Sequence, residues 1–202
     1  YVGGRVRLTD NQGSRLGSMV AGPFSTEPMT SFSVAFDFQI GNGSGADGCS
    51  FMALDSSVYS AATSWGEEGP GPVDQGPYAL DALGVQFDTY DNGGEGENTI
   101  EVISDGATIA RYTPSFDLED NLVHRAFITF ANNRITVRVT NGSGVTETAF
   151  LGLEVNNYTP FVARYGFGGR TGGLTNEHWI DNVSFSVPGP NDANGNGIPD
   201  DC

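Results

Sequence analysis

The stretch Leu83-Gly84-Val85-Gln86-Phe87-Asp88-Thr89-Tyr90-Asp91-Asn92 reads as a strand that runs out into polar chemistry. Its first half is apolar, with the β-branched and aromatic residues that a buried strand favours. Side chains two apart on a strand share a face, so Asp88, Tyr90 and Asn92 point one way. The loop Gly93-Gly94-Glu95-Gly96-Glu97-Asn98 follows at once and is able to return a further carboxylate to the same edge. Oxygen donors at this spacing, from side chains and a backbone carbonyl, suit a hard cation such as Ca²⁺. The same residues also suit an acidic β-turn that holds no ion.

Outward from this strand the pattern repeats. Twenty-nine glycines and ten prolines cut the chain into short runs, most of them alternating or rich in β-branched and aromatic residues. Val6–Leu8, Ser33–Ile40, Cys49–Leu54, Leu83–Thr89, Ile100–Ser104 and Thr108–Tyr112 read as strands. So do His124–Ala131, Arg134–Thr140, Thr146–Leu151, Val162–Gly168 and Trp179–Val187. Asn132-Asn133 separates two of these runs, and Asn tolerates the positive φ of a type I′ hairpin turn. No segment keeps a 3.6-residue apolar period. The expected fold is all-β, a two-sheet antiparallel β-sandwich over residues 1–187 with no helix longer than two turns. Residues 55–80 break the pattern as a long Ser-, Gly- and Pro-rich stretch holding Trp65 and Tyr78. A loop of that length binds something or pads a sheet edge.

After Pro188-Gly189-Pro190 the composition changes, which divides the chain into 1–187 and a tail of 188–202. Asp192, Asn194 and Asn196 alternate before Gly197, and the Ile198 carbonyl and Asp200 follow as further oxygen donors, like the first half of an EF-hand loop. A plain tail without an ion is the alternative.

At 202 residues the chain is long enough for a substantial core. Twenty-five acidic against nine basic residues give a net charge of −16, which repels nucleic acid and anionic membranes. No run approaches the roughly 18 apolar residues of a membrane span, and no charged-then-apolar leader is present. The scarcity of lysine and the abundance of Asn, Gly, Ser and Thr favour a secreted or cell-surface location. Two cysteines fit one disulfide in an oxidising compartment. Its simplest form joins Cys49 to Cys202 across a loop of about 150 residues. A bond from Cys202 to another subunit, or a free thiol, also fits.

The order of segments resembles the L-type (legume-like) lectins, closest to the intracellular mannose-binding cargo lectins and their bacterial relatives. The resemblance runs through Arg7-Leu8-Thr9 with Gly13-Ser14, Phe36-Asp37-Phe38, Gly45-Ala46-Asp47-Gly48 and Gly84–Asn92. It continues through Ile128-Thr129-Phe130, Ile135-Thr136-Val137, Tyr165-Gly166-Phe167, Thr171-Gly172-Gly173-Leu174 and Val183-Ser184-Phe185. It implies a concanavalin-like jelly roll whose site binds sugar beside Ca²⁺. By that resemblance Asp47 accepts hydrogen bonds from two sugar hydroxyls, and the Ala46–Asp47 peptide is cis. Asn92 touches both sugar and Ca²⁺, and the backbone N–H groups of Gly172, Gly173 and Leu174 donate to hydroxyls. Asp88 and the Tyr90 carbonyl hold the metal together with a fourth ligand. Glu97 is favoured for that role over Glu95, Asp117 and Asp120. The acidic tail resembles one Ca²⁺ repeat of the thrombospondin type 3 kind.

The chain departs from the legume pattern at Gln86, where those proteins carry a transition-metal glutamate, so a separate Mn²⁺ site is not expected. Glucanases share this sandwich, but retaining hydrolysis needs two carboxylates about 5–5.5 Å apart. The motif that supplies them is replaced here by Gln86-Phe87-Asp88-Thr89-Tyr90-Asp91. The expected function is therefore a secreted, Ca²⁺-dependent, non-enzymatic binder of mannose- or glucose-type glycans or glycoproteins. The alternative is a building block of a surface layer, filament or matrix, possible as a homo-oligomer, because fold does not fix function.

Overall fold

Two six-stranded antiparallel sheets face each other in the computed structural model, which describes residues 4–67, 69–70, 80–94 and 96–187. The first sheet runs in the order β1 (Val6–Thr9), β12 (Glu177–Ser186), β3 (Ser31–Gly41), β8 (His124–Ala131), β9 (Arg134–Thr140) and β10 (Thr146–Glu154). The second runs β2 (Leu16–Ala21), β11 (Ala163–Arg170), β4 (Gly48–Asp55), β5 (Ala82–Asp88), β6 (Thr99–Ser104) and β7 (Ala107–Tyr112). Each run read as a strand from the sequence is one, with small shifts at the ends, and no helix occurs among the described residues. The strand β2 is an addition to that reading. Asn132 and Asn133 have φ of 53° and 55° and close the β8–β9 hairpin, as expected of a type I′ turn.

Alternation supplies the core. Phe32, Val34, Phe36, Phe38 and Ile40 of β3 point inward and meet Cys49, Phe51 and Ala53 of β4 and Leu83, Val85 and Phe87 of β5. The rings of Phe36 and Phe167 pack edge to face at 4.8 Å, and those of Phe38 and Phe87 lie 4.4 Å apart. Each such ring buried contributes about 1.5–3 kcal/mol.

The second sheet is buried on both faces. Its outer face carries Met52, Leu54, Ala82 and Ile103, which pack with Trp65 from the long loop after β4. The described part of that loop, through Trp65, lies on the face of the sheet. Trp65 is 1% exposed and lies across Gly166 and Gly168, where a Cβ would overlap the indole. Gly168→Ala is therefore expected to expel Trp65 and to cost about 3 kcal/mol, near the upper end of overpacking penalties. A red-shifted tryptophan emission together with a lower melting temperature checks it. An unshifted spectrum would mean that the loop yields without losing its plug.

Candidate functional site

One register assembles the site. Gly48, the first residue of β4, pairs with Asp88 of β5 on one side and with Arg170 of β11 on the other. The residue before Gly48 and those that follow Asp88 and Arg170 therefore leave the sheet at the same edge. They are Asp47, the segment Thr89–Asn92 and the loop Thr171–Asn176.

Asp47 is clamped by its own backbone. Its N–H donates to the Arg170 carbonyl at 3.0 Å, and its carbonyl accepts from the Thr89 N–H at 2.9 Å and the Thr89 hydroxyl at 3.1 Å. The Ala46–Asp47 peptide is cis. The residue is 8% exposed, with Arg170 Nε at 3.5 Å from Oδ2. It lies over Gly172, where a Cβ would come to 3.3 Å from Asp47 Oδ1. Glycine at 172 leaves room above a carboxylate at the rim of the site. Gly173 and Leu174 are exposed on the same loop, and Asn92 is half-buried on the neighbouring one.

Asp88 is 2% exposed, and its Oδ1 accepts the Tyr90 N–H at 3.0 Å. Asp91 Oδ1 accepts the N–H of Gly93 at 3.0 Å and that of Gly94, so side chains shape the backbone of the loop. Glu97 lines a cleft beside this loop with Thr89, Asn98, Ser115, Asp117 and Glu119. Of the other candidates for a fourth ligand, Asp120 is turned to His124 Nε2 at 3.0 Å, and Asp117 accepts the Glu119 N–H at 2.9 Å. Glu95 lies outside the described residues. Among the described residues no three His, Cys, Asp or Glu side chains converge.

A hard cation fits the chemistry of this donor set, because Asp88, Asn92, Glu97 and a backbone carbonyl offer only oxygen. The potential at the edge fits it as well. Burial pushes the Glu119 carboxyl up, an effect opposed by the hydrogen bond from Asn176 and reinforced by the charges of Asp117 and Glu97. Gln86 is a neutral amide that is 2% exposed, and its Oε1 has no hydrogen-bond partner among the described residues. Across from it Glu101 is saturated by Thr108 at 2.7 Å and Arg111 at 2.5 Å.

Three supports of the site escape a reading by motif. Arg170 faces Asp47. Ser44 and Gly45 donate their N–H groups to the Thr175 carbonyl at 2.7 and 3.2 Å, which joins the Asp47 loop to the 171–176 loop. The β1–β2 loop, Asp10–Arg15, also packs on the 171–176 loop; of it only the Gly13-Ser14 turn stands out in the sequence, and no pattern marks the rest.

The tail residues Asp192, Asn194, Asn196, Ile198 and Asp200 lie outside the described residues, as does Cys202, on which the expected disulfide depends. Cys49 is 1% exposed in the core, and burial pushes its thiol far up, with the Glu67 charge adding to the effect.

A sandwich of this topology is the L-type lectin fold. Lectin I-B4 from Griffonia simplicifolia, metal-free, is 19% identical with a TM-score of 0.70, over 92% of this chain and 88% of that one. The exoplasmic/lumenal domain of VIP36 in its Ca²⁺/Man₃GlcNAc-bound form is 19% identical with a TM-score of 0.66, over 92% and 81%. The Bauhinia forficata lectin in complex with GalNAc is 19% identical with a TM-score of 0.67, over 90% and 86%. No family model and no curated protein sequence matches the chain. Among the described residues no helix is long and apolar enough to cross a membrane.

Proposed function

We propose that the chain is a secreted, Ca²⁺-dependent binder of mannose- or glucose-type glycans, with glycans or glycoproteins as partners and no catalytic step. The observation that carries this reading is the shared register of β4 with β5 and β11, which joins Asp47, the Asp88–Asn92 loop and Gly172 at one edge. Asp47 accepts sugar hydroxyls, the Asn92 amide orients them, and the Gly172–Leu174 backbone donates. Asp88, the Tyr90 carbonyl, Asn92 and Glu97 hold the ion, which neutralises their charge and fixes the loop. The lectin-like neighbours support the class, and the Ca²⁺- and mannose-containing forms of VIP36 support the choice of ion and sugar. The neutral Gln86 speaks against hydrolysis, which needs a second reacting carboxylate.

A single sugar should bind weakly, since a shallow polar site recovers little beyond the water it displaces. A glycan array read with and without chelator tests the proposal. If the wild type ignores a broad panel in excess Ca²⁺, the building-block reading takes its place.

Metal binding has its own test. An ion that binds only the folded state stabilises it by about 2.7 kcal/mol at a hundredfold excess over Kd. For a domain of this size that is a rise of about 5–10 °C in melting temperature. Asp88→Ala should remove the rise. Melting that ignores both Ca²⁺ and chelator would count against the site.

A further inference from the structure

We infer that the outer face of the first sheet docks an acidic polysaccharide, a chain of uronate rings whose carboxylates pair with Arg138 and its neighbours. The inference is independent of the sugar site proposed at Asp47, which precedes β4 in the second sheet.

The face is set by alternation and register. Phe36, Ile128 and Val137 turn into the core, so the residues next to them turn outward. Ala35, Phe127, Arg138 and Thr148 then form one row across β3, β8, β9 and β10. Asp37, Arg125, Thr140 and Thr146 form the next row. At the other side of the sheet Arg7 pairs with Trp179, and Arg5 stands over the same ring at 4.7 Å.

The chain has nine basic residues, all arginine, and Arg5, Arg7, Arg125, Arg134 and Arg138 are on this face. The strand carboxylates that share it are Asp37, Glu154, Glu177 and Asp181. Five cations against four anions leave the face at +1 in a chain of −16. Three of those carboxylates already hold arginines: Asp37 takes Arg125 at 2.6 Å, Glu177 takes Arg7 at 3.3 Å and Glu154 takes Arg134 at 3.5 Å. Arg5 donates only to the neutral Gln39 oxygen, at 2.5 Å. The Arg138 guanidinium is exposed and has no hydrogen bond or ion pair among the described residues.

The surroundings of Arg138 say what it pairs with. Phe127 beside it is 39% exposed, with Arg125 at 5.3 Å from its ring centroid. Thr136, Thr140 and Thr148 surround the two residues with hydroxyls. A guanidinium fork matches a carboxylate in two parallel bonds, an aromatic ring takes the apolar side of a sugar, and the hydroxyls meet sugar hydroxyls. A stable protein interface would need a larger apolar centre, and Phe127 is the exposed large apolar residue in the middle of this face. Arg138 and Arg5 stand four strand steps apart in the sheet order, about 19 Å, so the occupant is a chain and not a single ring. The acidic remainder of the molecule does not forbid the approach. Screening falls off over about 8 Å at physiological salt, and the second sheet alone is about 10 Å behind the first.

Calorimetry with a galacturonate hexasaccharide and its carboxyl-reduced counterpart tests the inference, at low and high salt, on wild type, Arg138→Glu and Asp47→Ala. The wild type should bind the uronate chain, more weakly at high salt, and should not bind the reduced chain through this face. Arg138→Glu should lose about tenfold of affinity or more, as expected for a charged pair of hydrogen bonds. Its melting temperature should stay at the wild-type value, since the side chain it replaces holds nothing in place. Asp47→Ala should bind the uronate chain as the wild type does. A wild type that ignores the uronate chain at low salt overturns the inference, as does an Arg138→Glu protein that binds it unchanged. Uronate binding that disappears with Asp47→Ala would assign it to the Asp47 site and overturn the separate surface. A dimer that Arg138→Glu dissolves, with no uronate binding, would make a second copy the occupant instead.

Discussion

Asp47→Ala is expected to abolish measurable glycan binding while leaving the protein folded. The two consequences separate because Asp47 does its structural work through the backbone. Its N–H and carbonyl are bonded to Arg170 and Thr89, and alanine keeps all three bonds. The side chain meets Arg170 at 3.5 Å in a partly exposed pair, an interaction typically worth about 0–1 kcal/mol. For the ligand the carboxylate is the main acceptor, and hydrogen bonds to a charged group contribute about 1.5–3 kcal/mol each. Loss of two such bonds lowers affinity by more than about a hundredfold, which takes a weak single-sugar site out of range. Asp47→Asn, which keeps an acceptor but not the charge, should fall between. Calorimetric titration beside a melting curve measures both consequences. An Asp47→Ala protein that binds sugar as the wild type does would place the site elsewhere.

The sandwich was legible because β3, β7, β8 and β9 alternate while β4, β5 and β6 are short, continuously buried runs, and both patterns are local properties of the chain. Ser31–Gly41 and His124–Ala131 hide every second residue. The one strand the sequence concealed, Leu16–Ala21, has small or half-buried residues on both faces and pairs only with β11. Its side chains meet no single environment, so no period is written into them. The course of the 55–80 loop was hidden for a different reason. Trp65 is matched to missing Cβ atoms at Gly166 and Gly168, a fit between residues about a hundred positions apart.

The site divides the same way. Asp47, Asp88, Asn92 and Gly172 could be placed by the order of segments, because each sits at a strand end or within four residues of one. Arg170, Thr175 and the Gln12–Arg15 loop owe their roles to bonds between loops distant in sequence, and most of those bonds run through the backbone. Backbone donors are the same for nearly every residue type, so they leave no trace in composition. The choice of a fourth metal ligand stays open in the sequence, because spacing alone allows Glu97, Glu95, Asp117 and Asp120. The contact of Asp120 with His124 is between residues four apart, yet no periodicity announces it.

Mild acid should destabilise the fold, and His178 should carry much of the loss. The residue has 0% exposure at the start of β12, beside the 171–176 loop. The Thr9 hydroxyl donates to the Asn176 carbonyl at 3.0 Å, so its single proton is spent there. The 2.5 Å contact between Thr9 Oγ1 and His178 Nδ1 is then a bond in which Nδ1–H donates. Nε2 is left as a bare lone pair with no partner among the described residues. Protonation would place a charged N–H in that position, and burial accordingly pushes the pKa from 6.5 down to about 3. His124 is shifted the same way by burial, against the opposing charge and hydrogen bond of Asp120. An unfolded histidine takes up its proton near pH 6.5. Below that pH the unfolded chain binds protons that folded His178 refuses, so stability falls as the pH drops and recovers above it. The His178 contribution is about 1.4 kcal/mol per pH unit between roughly pH 6.5 and 3. Urea unfolding at pH 7, 6, 5 and 4 measures the slope, and His178→Leu should flatten it whatever its own stability at neutral pH. A variant whose stability declines with acid as steeply as the wild type would show that carboxylates, and not this imidazole, set the acid limit.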